Sequence, residues 1–208
     1  MKITPFSKKC GVTIENVSLD NLSDDEFKQI KQAFIEHGLL FFRDQTLSPE
    51  QHKELAKRFG EIVVNRIFKT LEGHPEIAVV SKDKDQKTNI GGGWHTDHSY
   101  DEEPAMASVL VARELPKSGG ATKFANMYAA YDGLSTGLKT TLASITAMHS
   151  NHHLYGKGGY FNTTDLGDKL AKNVEPSQAS HPAVIIHPES KKKVLYVNKA
   201  HTVGFENW

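Results

Sequence analysis

Phe27, Ile30, Ala33 and Phe34 recur at three- and four-residue spacing within an otherwise polar stretch, the period of a helix with one buried face. Ser23-Asp24-Asp25-Glu26 ahead of them reads as a capping box. Its hydroxyl and carboxylate can satisfy free amides, and its acidic charge suits the positive end of the helix. Gly38 is placed to end that helix, and Leu39-Leu40-Phe41-Phe42 follows as a short buried strand. A second helix is predicted from Ser48 as cap, with Pro49 in its first turn, to a stop at Gly60. Leu55 and Phe59, four apart, give it a buried face.

Beyond Gly60 the pattern shortens toward strands. Residues 77–80 and 107–111 are brief apolar or alternating runs bounded by turn signals. Residues 84–93 are polar and end in Gly91-Gly92-Gly93, which permits backbone conformations and close approaches closed to other residues. Residues 127–134 and 137–142 read as helical, and 145–148 as a strand. Residues 151–180 are rich in Gly, Asn, Asp and Lys, and a stretch this long is expected to be a lid or mobile loop. Residues 183–186 and 194–197 flank Pro188-Glu189-Ser190-Lys191 as a β-hairpin. Two helices followed by many short strands predict an α+β domain built around a barrel or jelly-roll sheet.

Composition narrows the function classes. A chain of 208 residues suits one domain. Lys plus Arg and Asp plus Glu both total 25, and that balance argues against nucleic acid as a partner. The dense basic run Lys191-Lys192-Lys193 reads as a solvated turn. A lone cysteine, Cys10, rules out an intrachain disulfide and a thiolate cluster. No apolar run approaches a membrane span and the first residues do not open a signal peptide, so the expected location is cytoplasmic.

The chemistry centres on Trp94-His95-Thr96-Asp97. In an extended strand alternate residues share a face, so His95 and Asp97 could converge on one ion. With a more distant His they would form the facial triad of non-haem Fe(II) oxygenases. A surface His–Asp pair is the alternative on spacing alone.

The surroundings of this pair resemble the taurine and 2,4-dichlorophenoxyacetate dioxygenase (TauD/TfdA-like) family. The matching stretches are Gly38-Leu39-Leu40-Phe41-Phe42-Arg43-Asp44-Gln45, Phe59-Gly60-Glu61, Trp94-His95-Thr96-Asp97 and Glu114-Leu115-Pro116-Lys117-Ser118-Gly119-Gly120-Ala121-Thr122. Ala130-Tyr131-Asp132-Gly133-Leu134, His187-Pro188-Glu189-Ser190 and Leu195-Tyr196-Val197-Asn198 follow in family order. The resemblance implies one dioxygenase domain over residues 1–208, a double-stranded β-helix (jelly roll) with flanking N-terminal helices. It implies Fe(II) as metal, 2-oxoglutarate and O2 as co-substrates, and oxidation of a small organic molecule with release of succinate and CO2. His95 and Asp97 match two iron ligands, and Thr122 matches a hydroxyl that binds the 2-oxoglutarate carboxylate. Arg43-Asp44-Gln45 matches a structural turn.

The resemblance also bears on substrate. Where taurine-specific members carry a His, a Tyr and an Asn that hold taurine, this chain has Asn65, Phe68 and Gly91. His98 follows the metal Asp in place of a small apolar residue, and Tyr155 falls near a substrate-contacting aromatic. Asn65, Phe68, His98 and Tyr155 therefore describe a pocket for a substrate other than taurine.

The family's third iron ligand, a His, and its 2-oxoglutarate-binding Arg lie in motifs expected after the residues that close this chain, Phe205-Glu206-Asn207-Trp208. The chain is thus expected to be truncated, lacking the C-terminal strands, and to self-associate as a homo-oligomer. His201 falls where the family has a non-ligand residue and is read as structural. Two other functions fit parts of the pattern. One is a catalytically impaired homologue acting as a binding or structural domain. The other is a hydrolytic zinc site using His95, Asp97 and one of His152, His153 or His201.

Overall fold

Helix α1 (Asp24–His37) starts at the expected capping box, with the Ser23 side chain accepting from the Glu26 amide and Glu26 accepting from the Ser23 amide. It ends at Gly38 in the left-handed conformation, φ 70°. These details come from a computed structural model that describes residues 1–208 except 167, 168, 172 and 173. Helix α2 (Pro49–Lys57) is capped in the same way by Ser48 and Gln51. It stops short of Gly60 because Arg58 and Phe59 donate to carbonyls three residues back, which tightens the last turn.

The described residues divide into two compact units. The first comprises Met1–Gly60, Val109–Thr136 and Ile186–Leu195. Its sheet is formed by β1 (Lys2–Pro5), β2 (Val12–Glu15) and β3 (Leu40–Phe42), with β2 central. β1 runs antiparallel and β3 parallel to β2, pairing Val12 with Leu40 and Ile14 with Phe42. Val12, Ile14, Leu19, Ile30, Ala33, Leu47 and Leu55 form the core against which the two helices pack their apolar faces. Gln45 ties the turn after β3 by accepting from the Leu19 amide and donating to the Val17 and Arg43 carbonyls, a structural arrangement. Helix α3 (Met127–Asp132), capped by Asn126, belongs to this unit.

Residues 107–111 are not a strand. Val109 and Val111 do face the core and Leu110 faces solvent, so the alternation is real. The segment has no ladder partner, and the Val109 carbonyl instead accepts from His52 Nε2 at 3.0 Å.

The second unit comprises Glu61–Ser108, Gly137–Ile185 and Tyr196–Trp208. β4 (Thr70–Leu71) and β5 (His74–Ala78) pair antiparallel near the run expected at 77–80. Helix α4 (Thr136–Leu142) leads to β6 (Thr146–Ser150), the middle strand between β7 (Gln178–Pro182) and β10 (Thr202–Phe205). All three run antiparallel, with Ala147 opposite both His181 and Phe205. Ile145, Ala147 and Ala183 form the buried cluster at this sheet, with Leu142, Val197 and Phe205 packed against it. A second cluster gathers Ile67, Tyr100, Phe161, Leu166 and Leu170, with Phe68 and Tyr155 packed against it.

Residues 151–180 carry a short helix, α5 (His152–Tyr155), a 3-10 turn at Tyr160–Thr163, and buried Leu166 and Leu170. Part of this stretch, 167, 168, 172 and 173, lies outside the described residues. The expected hairpin is present, with β8 (Val184–Ile186) and β9 (Lys193–Leu195) flanking a turn closed by the His187 amide on the Lys192 carbonyl. The α+β content is as expected. The described strands gather into two three-stranded sheets and two pairs rather than one continuous barrel. No helix among the described residues is long and apolar enough to cross a membrane.

Candidate active site

His95 and Asp97 face one another without belonging to a strand. His95 Nε2 lies 3.1 Å from Asp97 Oδ1 across a turn that continues through His98, Ser99 and Tyr100. The expected β ladder is absent, and other contacts aim the two side chains. His95 Nδ1 donates to the Gly93 carbonyl at 2.8 Å, which fixes the ring and leaves Nε2 toward the carboxylate. Ser108 Oγ donates to Asp97 Oδ2 at 2.9 Å, so only Oδ1 faces the imidazole. Gly91 explains the glycine run: it has φ 67°, and a Cβ there would sit 3.2 Å from His95 Cε1.

Electrostatics follow from this contact. The hydrogen bond to Asp97 raises the His95 pKa, against the opposing effect of burial. The same bond, with help from Ser108, lowers that of Asp97. Both partners accept only, so a proton on either nitrogen strengthens its contact, Nδ1 with the Gly93 carbonyl and Nε2 with the Asp97 carboxylate.

The residues on either side are anchored by the segment 198–201. Ala200 donates its amide to the Trp94 carbonyl, and Asn198 Nδ2 donates to Ser99 Oγ at 3.1 Å. Asn198 Oδ1 accepts from the His201 amide at 2.8 Å. Ser99 is fully buried and also meets His149 Nδ1 at 3.2 Å. His201 is buried, packed edge-on to Tyr100 and His95 with ring centroids 4.8 and 6.1 Å away. Burial first, then the His95 charge, pushes its pKa down to about 4, so it stays neutral.

A profile of the taurine catabolism dioxygenase TauD, TfdA family matches residues 2–208. The chain belongs to this family. It is 31% identical over 206 residues to an (S)-phenoxypropionate/alpha-ketoglutarate-dioxygenase of Sphingobium herbicidovorans, covering 97% of this chain and 72% of that one. It is 29% identical to an alpha-ketoglutarate-dependent sulfonate dioxygenase of Saccharomyces cerevisiae, of which it spans 50%. Among solved structures, an alpha-ketoglutarate-dependent taurine dioxygenase described from Burkholderia xenovorans superposes with a TM-score of 0.80 at 29% identity. That match covers all of this chain and 68% of the other.

TauD/TfdA dioxygenases use Fe(II) with 2-oxoglutarate and O2. The His95–Asp97 pair fits part of such a site. Adjacent ligands about 2.1 Å from an octahedral ion lie about 3 Å apart, close to the separation of Nε2 and Oδ1. Among the described residues no group of three His, Cys, Asp or Glu side chains converges as a metal site. His201 does not complete one, and His153 Nε2 is engaged with the Ala200 carbonyl at 2.8 Å.

The other expected residues fall into two places. Thr122 is exposed, in a segment of the first unit without helix or strand. Asn65, Phe68, His98 and Tyr155 all belong to the second unit, as do His95 and Asp97. Asn65 Nδ2 is 3.5 Å from His98 Nε2. Phe68 and Tyr155 share the cluster around Leu166, with Tyr155 stacked on Phe161 at 5.2 Å. Burial and the nearby Asp97 charge push the Tyr155 pKa up to about 12, so its hydroxyl stays protonated.

Ser108 and Asp101 escaped the sequence reading, as did the buried contacts of Ser99. Ser99 stood beside the motif, but nothing local distinguishes a buried serine from a solvated one. Ser108 sits 11 residues from its partner.

Proposed function

We propose that this chain is the core of an Fe(II)- and 2-oxoglutarate-dependent dioxygenase that oxidises a small organic substrate other than taurine. The supporting observation is the paired geometry of His95 and Asp97, whose outer atoms Nδ1 and Oδ2 are occupied by the Gly93 carbonyl and Ser108 while Nε2 and Oδ1 face each other. His95 and Asp97 would hold the iron. Fe(II) held there would activate O2, the oxidant, which takes two electrons from 2-oxoglutarate, releasing succinate and CO2, and two from a substrate C–H bond.

The chain's own groups set the conditions for this. To act as a ligand, His95 gives up its Nε2 proton and keeps Nδ1–H on Gly93. Asn65 and His98 supply polar contacts to substrate, and Phe68 and Tyr155 an apolar wall that excludes water. The described residues of 151–180 are read as a lid for this pocket. The fold is read as a jelly roll, and the protein as a cytoplasmic homo-oligomer. The sulfonate, sulfate ester and phenoxypropionate enzymes among its relatives suggest an organic acid as substrate.

Anaerobic titration with Fe(II) and 2-oxoglutarate tests the reading. A visible charge-transfer band, lost in His95→Ala, and succinate on admitting air are expected; iron uptake identical in wild type and His95→Ala would refute it.

The absence of a third converging ligand among the described residues favours a second reading, a binding domain without turnover. It predicts 2-oxoglutarate binding with no succinate under the same titration.

A further inference from the structure

Asp101 connects the residue after the second proposed iron ligand to a distant part of the second unit. Its carboxylate accepts from His98 Nδ1 at 2.8 Å and from Arg66 Nη2 at 2.9 Å. The Asp101 amide also donates to the His98 carbonyl at 2.9 Å, closing a turn in which His98 takes a left-handed conformation, φ 58°. Arg66 reaches on to Ser177 Oγ at 3.1 Å. The His98 and Asp101 side chains are each only 14% exposed, so solvent does little to compete for the contact between them.

The contact with Asp101 settles one nitrogen of the ring. A carboxylate accepts only, so His98 Nδ1 must carry the proton. In the neutral ring Nε2 then presents a lone pair. The other side of the ring agrees with this. Asn65 Oδ1 accepts from the amides of Ile67 and Phe68, at 2.9 and 3.1 Å, which turns its Nδ2–H toward His98 Nε2. At 3.5 Å that approach is too long to satisfy either group fully.

We propose that Asp101, steadied by Arg66, is a positioning residue that fixes His98 in the Nδ1–H tautomer, with Nε2 offered as a hydrogen-bond acceptor. The inference rests on the reading of His98 as a substrate contact. A substrate group that meets His98 Nε2 therefore donates a hydrogen bond, as a hydroxyl, amide or ammonium does. An anionic oxygen at that point would face a lone pair.

Asp101→Asn separates positioning from packing. An amide cannot accept from both neighbours, since its oxygen will serve the charged Arg66 and its Nδ2–H2 will face His98. His98 must then move its proton to Nε2, the opposite tautomer. Arg66→Ala leaves the Asp101 carboxylate in place and preserves the original one.

The test is nitrogen-15 NMR of histidine side chains in the metal-free protein at about pH 9, well above the ordinary histidine pKa of about 6.5. His98→Asn identifies the signal, because asparagine tolerates the left-handed backbone. In wild type and Arg66→Ala, Nδ1 of His98 is expected in the protonated range and Nε2 in the unprotonated range; in Asp101→Asn the two exchange. A wild-type spectrum showing protonated Nε2 overturns the proposal without any variant, as does an unchanged tautomer in folded Asp101→Asn. Neither iron nor turnover enters the measurement. A failed Fe(II) titration would therefore sink the dioxygenase reading and leave this result standing, and the reverse holds equally.

Discussion

Ser108 decides which oxygen of Asp97 is available. Its hydroxyl occupies Oδ2, so Oδ1 alone is directed at His95 Nε2. Removing the hydroxyl frees the carboxylate to rotate and to meet the imidazole through either oxygen. Loss of such a supporting contact commonly weakens metal binding 10- to 100-fold. Because Ser108 is exposed and water can partly replace it, Ser108→Ala is expected at the lower end, about tenfold weaker for Fe(II) by anaerobic titration, with Ser108→Thr close to wild type. Wild-type affinity in Ser108→Ala would remove Ser108 from the site. His95 and Asp97 were legible in the sequence because two ligand-type residues at close spacing carry their own signal. Ser108, Asp101 and Asn198 were not, since an ordinary polar side chain acquires a role only from what the chain folds against it. Gly91 lies between the two cases. The glycine run announced a close approach, but only the structure shows that the approaching group is the His95 ring.

The elements divide by whether their signals are local. Helices α1 and α2 and strand β3 could be placed from caps, apolar period and a compact apolar run, all contained within the segment. The reciprocal bonds between Ser23 and Glu26 are those the capping box specifies. Ser23→Ala removes one partner and leaves the Glu26 amide without its acceptor. Loss of about 1 kcal/mol of stability is expected by denaturant titration, with Fe(II) affinity unchanged because the cap belongs to the first unit. A cost below about 0.3 kcal/mol would mean that water serves the helix end equally well. Strands β1, β2, β4, β7 and β10 were not anticipated. Each is two to five residues long and exposed or mixed in burial, so pairing rather than composition makes it a strand. Residues 107–111 fail in the opposite sense: alternation there reports burial of Val109 and Val111, and among the described residues no strand pairs with them to make a ladder.

At the scale of the whole molecule, stability should depend on pH through its buried imidazoles. The chain is formally neutral at pH 7, so no large net charge drives unfolding there. His149, on β6, is fully buried and packs against His181 and Tyr196, with ring centroids 5.6 and 5.7 Å away. Burial, and then the neighbouring His181, pushes its pKa down to about 4 from 6.5. The sign follows from proton counts. Between pH 6.5 and 4 the unfolded chain binds a proton at this residue and the folded chain does not, so lowering the pH favours unfolding. Above 6.5 both states leave it neutral, and below 4 both hold the proton. The stabilisation of the folded state relative to its acid form is therefore complete above pH 6.5 and lost as the pH falls toward 4. One proton gives a slope of at most about 1.4 kcal/mol per pH unit across that window. The comparison is between the denaturant-unfolding pH profiles of wild type and His149→Gln. The substitution lowers absolute stability by leaving Ser99 a poorer partner, but it removes one of two such imidazoles and should make the profile shallower between pH 4 and 6.5, with His201 supplying the slope that remains. Equal slopes in the two proteins would show that His149 is charged in the folded state or that its burial is matched in the unfolded chain.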